Sequence, residues 1–78
     1  MTRIKCSAEQ KDTYKTISDL SMDSIHILSR FNITYSYITS YQKDNILNVI
    51  YDIECCSDVM MQLQIYSTFT LEIINVKP

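Results

Sequence analysis

Glycine and tryptophan are absent from this chain of 78 residues, and its only proline is the last residue, Pro78. Without glycine, every left-handed turn position must be filled by Asn, Asp or another residue at some steric cost. The same absence removes phosphate-binding loops and dinucleotide fingerprints, whose backbone approaches the ligand only where no Cβ intervenes. A nucleophile elbow is excluded on the same ground. Histidine is nearly absent too. With His26 alone and cysteines only at positions 6, 55 and 56, no zinc-ligand spacing can be written. No cofactor and no metal are expected. Asp52 and Glu54, two apart on one strand face, form the one carboxylate pair, and nothing apolar is expected beside them to raise either pKa. The chain reads as a non-enzyme.

Long apolar runs are also missing. No stretch approaches the ~18 residues that a membrane-spanning helix needs, which argues against a membrane partner. The opening residues Met1–Cys6 are charged and lead into no apolar segment of signal-peptide length. Three cysteines are an odd number, and the adjacent pair Cys55–Cys56 has poor geometry for a structural bridge. A Cys6–Cys55 or Cys6–Cys56 bridge is conceivable, but free thiols in a reducing compartment are the favoured reading, and the expected location is the cytoplasm. No clustered positive field is present either. Seven basic and nine acidic side chains are spread along the chain, giving a net charge of −2. Nucleic-acid binding needs basic residues gathered against phosphates, so this distribution argues against it.

What the chain does have is a regular alternation of element types. Its length suits one hydrophobic core, so residues 1–78 are expected to form a single domain. Residues 2–8 alternate, with Ile4, Cys6 and Ala8 on one side and Arg3, Lys5 and Ser7 on the other, the pattern of a half-buried strand. Residues 9–31 read as helix, in one piece or two, with Tyr14, Ile17, Ser21, Ile25 and Leu28 on one stripe. Asn32 is placed to end it in the left-handed conformation.

Ile33 to Tyr41 is rich in Thr, Tyr and Ile and reads as a strand with Ile33, Tyr35 and Tyr37 on one face. A polar turn, Gln42 to Asn45, leads into a strand from Ile46 to Cys55, with Leu47, Val49, Tyr51 and Ile53 on one side. Ser57–Asp58 opens a short helix carrying Val59, Met60, Leu63 and Tyr66, and Thr68 to Val76 closes the chain as a strand with Phe69, Leu71 and Ile73 inward.

The resulting order is strand, helix, strand, strand, helix, strand. That is an α+β, ferredoxin-like βαββαβ arrangement: a four-stranded antiparallel sheet with both helices on one face. The other face is then open. Strict alternation places Arg3, Lys5, Ile38, Asn48, Ile50 and Asp52 there, together with Glu72, Ile74 and Val76. Ile38, Ile50, Ile74 and Val76 form the candidate interaction surface, an apolar patch for a partner if they cluster. RNA-recognition motifs share this topology but carry aromatic residues on the open face of the central strands. Here Tyr35, Tyr37 and Tyr51 fall on the core side.

The run Ile27–Tyr35, followed by a hairpin and by Val49–Glu54, resembles an ACT domain. In that family a helix runs into an Asn-Ile pair that starts the second strand, as Asn32–Ile33 does here. The resemblance implies a ferredoxin-like regulatory module that dimerises and binds a small ligand, such as an amino acid, at the dimer interface.

Two functional expectations follow. The first is a small protein-interaction module, a regulator or inhibitor acting through its open sheet on another protein or on a second copy of itself. A bias toward Ile, Ser, Thr, Tyr and Asn suits an AT-rich coding genome such as that of some phages and viruses. The second expectation is the ACT-like ligand-binding domain.

Overall fold

The computed structural model describes residues 2–54 and 57–76, with side chains described for 2–54 and 59–74. Six elements follow in the expected order: β1 (Thr2–Glu9), α1 (Ile17–Arg30), β2 (Thr34–Lys43), β3 (Ile46–Glu54), α2 (Ser57–Tyr66) and β4 (Thr70–Val76). The strands form one antiparallel sheet in the order β2-β3-β1-β4. This is the ferredoxin-like topology, in which the first and third strands take the centre and the second and fourth become edges.

Helix α1 packs on β1, β2 and β3, while α2 packs on β4 and α1. Between helices and sheet lies one core that includes Ile4, Cys6, Leu20, Leu28, Val49, Tyr51, Ile53 and Leu63, all at most 2 % exposed. Burying side chains of this size contributes on the order of 1.5–3 kcal/mol each before chain entropy is set against it. At the centre is Tyr51. Its hydroxyl meets Ser24 Oγ at 2.8 Å and Ser21 Oγ at 3.2 Å, and Ser24 Oγ donates to the Ser21 carbonyl at 2.9 Å. Two serines in a core-facing helix are therefore tolerated because a buried phenol satisfies them.

Four sequence expectations require correction. Helix α1 begins at Ile17 rather than near residue 9, and it is a single helix. Thr16 caps it: its side chain accepts from the Asp19 backbone N–H, and Asp19 returns the bond to the Thr16 backbone N–H at 3.1 Å. Such a capping box is worth about 1 kcal/mol and fixes where the helix starts. Tyr14 consequently belongs to the preceding loop; it is buried and shares a hydrogen bond with the Thr68 hydroxyl. The buried stripe of α1 runs through Leu20, Ser24 and Leu28, with Ile17, Ser21 and Ile25 on its margin. Tyr66, expected inward on α2, is 61 % exposed and lies against Phe31, with ring centroids 5.9 Å apart.

The lack of glycine is met as expected. Asn32 and Asp44 both take φ of 55°. Asn32 ends α1 in a Schellman arrangement: its N–H donates to the Ser29 carbonyl, and the Ile33 N–H to the Leu28 carbonyl. Asp44 turns the β2–β3 hairpin, where asparagine and aspartate tolerate the left-handed region best after glycine.

Candidate interaction surface

The sheet face opposite the helices is built around a polar ladder on β1. Arg3 stands opposite Asp52, Ser7 opposite Asn48, and Lys5 opposite Glu72 on the other side. Each pair closes. Arg3 is bidentate on Asp52, with Nε to Oδ1 at 2.8 Å and Nη2 to Oδ2 at 3.1 Å. Hydrogen bonding to Asp52, then its charge, raises the Arg3 pKa above its ordinary value. Lys5 Nζ lies 3.3 Å from Glu72 Oε2. Ser7 Oγ donates to Asn48 Oδ1 at 2.8 Å, and the Asn48 amide donates to the Ile46 carbonyl at 3.2 Å. Asn48 is thereby buried without an orphaned group.

Two β-bulges decide where the isoleucines fall. On β2, Tyr37 faces Tyr51 but Thr39 faces Ile50, so Ile38 is the extra residue. On β4, Ile73 faces Ile4 but Asn75 faces Arg3, so Ile74 is the extra residue. A bulge adds one residue and reverses the face of everything beyond it. Ile38 immediately precedes the ladder partner of Ile50, and these two are brought together. Ile74, 47 % exposed, sits on the far edge strand with β1 and its charged ladder between it and Ile50. In its backbone Val76 stands opposite Thr2; its side chain, like Cys55 and Cys56, lies outside the described residues.

The bulge on β2 also brings in a residue that unbroken alternation from Tyr35 and Tyr37 would put on the core side. Tyr41 stands opposite Asn48 in the row of Ser7 and is 41 % exposed. Ile46, 42 % exposed, lies opposite Glu9 in the next row. The open face therefore has an apolar flank of Ile38, Tyr41, Ile46 and Ile50 over β2 and β3, bordered by the paired charges of β1. No protein-family model, curated protein or solved structure matches this chain. Its surfaces have to be judged on their own chemistry.

Two other features compete with the open face. The outer side of α2 exposes Met61, Ile65 and Tyr66 at 61–77 %. A cavity of about 560 Å³ opens where the end of β1 meets the β1–α1 and α2–β4 loops, lined among others by Glu9, Lys11, Tyr14 and Thr68. Lys11 Nζ is 3.3 Å from Glu9 Oε2 at its rim. Among the described residues, no three His, Cys, Asp or Glu side chains gather as a metal site, and no helix is long and apolar enough to cross a membrane.

Proposed function

We propose that this chain is a small non-enzymatic interaction module, a regulator or inhibitor that engages another protein through the open face of its sheet. The observation that carries this reading is the apolar flank of Ile38, Tyr41, Ile46 and Ile50 beside charges that are already paired within the chain. Protein interfaces combine an apolar centre with a polar rim, and charges held in place before binding lose little freedom on docking. The buried thiol of Cys6 fits a reducing, cytoplasmic setting.

Ile50→Asp and Ile46→Asp should each weaken partner binding roughly tenfold or more, as for central interface residues. Both variants should keep the far-UV circular dichroism of the parent. Met61→Asp, on the outer side of α2, should leave binding unchanged. Titration of the purified partner with the three variants checks this, and the reverse ranking would move the interface to α2.

A second reading is favoured by the cavity beside β1. Glu9 and Lys11 offer one charge of each sign at its rim, the pattern that suits the ammonium and carboxylate of an amino acid. On that reading the chain is an ACT-like regulatory domain, and the ligand must open the Lys11–Glu9 pair to bind.

A further inference from the structure

Strand β2 is an edge of the sheet, so among the described residues one side of its backbone has no ladder partner. Long unprotected edges invite a further strand, and proteins block them with charges, proline, a covering element or a bulge that twists the edge away. From Thr34 to Gln42 this edge carries no charge and no proline; its first charge is Lys43, beside the turn. The bulge at Ile38 is the one irregularity, and it falls at the middle of the strand.

That position has a consequence for self-pairing. Two copies of an ordinary strand align antiparallel with faces matched when paired positions share sequence parity. A bulge reverses both side-chain face and hydrogen-bonding direction for every residue beyond it. Matched faces then require partners of opposite parity. Only one such register has no mismatch at its centre, the one whose two-fold axis passes through the bulge.

In that register Ile38 faces Thr39 of the second copy, Tyr37 faces Ser40, Ser36 faces Tyr41, Tyr35 faces Gln42 and Thr34 faces Lys43. All ten residues of β2 are used. Tyr37 and Tyr41 each meet a serine, so large side chains lie against small ones. Lys43 of one copy comes alongside Thr34 of the other, whose ladder partner on β3 is Glu54, which brings opposite charges into one row at both ends. The other edge lacks this fit. On β4 the bulge lies near the strand end, and Glu72 stands mid-strand.

We infer that two copies of this chain associate through β2, in the bulge-centred register, to form a continuous eight-stranded sheet. The pairing stands on the geometry of β2 and does not depend on the open-face reading. It doubles that face, placing the Ile38 positions of both copies at the two-fold axis. Main-chain bonds rather than buried area hold such an edge contact, so a weak dimer is expected.

Sedimentation velocity across a concentration series, paired with hydrogen exchange, tests the inference. The expected result is a reversible monomer–dimer equilibrium in which amides of residues 34–43 gain protection as the dimer fills. Thr39→Lys brings two like charges together at the axis and should weaken the dimer roughly tenfold or more, with an unchanged circular dichroism spectrum. A chain still monomeric at ~1 mM would overturn the inference. So would a dimer that tolerates Thr39→Lys and leaves the β2 amides unprotected, since its contact would lie elsewhere.

Discussion

Tyr51→Ala should remove a large part of the domain's stability. The side chain is fully buried at the centre of β3, with the rings of Tyr35 and Tyr37 edge-on to it at 5.8 and 6.2 Å. Truncating a buried aromatic ring costs about 3–5 kcal/mol, because the transfer energy is lost and the cavity collapses only partly. A domain of 78 residues has a total stability of ~4–12 kcal/mol, so one substitution removes much of it. Tyr51→Phe separates ring from hydroxyl. It keeps the packing, and Ser24 Oγ retains its bond to the Ser21 carbonyl, so the expected cost is only about 1 kcal/mol. Urea unfolding of the two variants measures both. Comparable losses would place the stabilisation in the hydroxyl network, and a mild effect of Tyr51→Ala would contradict the central position assigned to the ring.

Stability should also fall steeply in alkali, through the buried thiol of Cys6. Cys6 is 1 % exposed on the central strand β1, and burial pushes its thiol up to about 12. An exposed thiol in the unfolded chain ionises near ~8.5. Below that pH both states hold the proton, and the contribution is fully present. Above it the unfolded chain gains by ionising while the folded one cannot, so stability declines by about 1.4 kcal/mol per pH unit until the folded thiol itself titrates. Tyr51 and Tyr14 are also raised, chiefly by burial, and act in the same direction at still higher pH. Urea midpoints at pH values between ~7 and ~10 should therefore fall for the parent and fall less for Cys6→Ala. Parallel declines in the two proteins would show that Cys6 is not the group responsible.

The element order was legible because strand and helix periods differ so plainly here. Ile4–Cys6–Ala8 and Leu47–Val49–Tyr51–Ile53 alternate cleanly, and their inward sides are the ones observed against the helices. Asn32 and Asp44 were legible as turn residues because nothing else in a glycine-free chain takes positive φ as readily.

The misreadings have physical causes. Tyr14 lies three residues before Ile17 and extends its stripe, yet its hydroxyl is held by Thr68, 54 positions away. Ser24 was left out of the expected stripe, and the hydroxyl that satisfies it in the core belongs to Tyr51, 27 positions on. Unbroken alternation from Ile33, Tyr35 and Tyr37 would put Tyr41 on the core side as well. A bulge at Ile38 leaves no compositional mark without glycine to signal it, and this one residue moved the aromatic to the open face. The register puts Ile50 in one row with Lys5, and Ile38 immediately before Thr39, the β2 partner of Ile50. The charged strip separating Ile38 and Ile50 from Ile74 could be foreseen only with the strand order, which puts Arg3 and Lys5 between them.

Native mass spectrometry of the chain, affinity-purified from lysate of its natural host, tests the interaction reading most directly. The parent is predicted to carry a second protein at fixed stoichiometry, and Ile50→Asp, purified in parallel, is predicted to lose it. A chain that emerges alone or as a bare homodimer, carrying extra mass of amino-acid size, would contradict the open-face interface and favour a ligand bound beside β1.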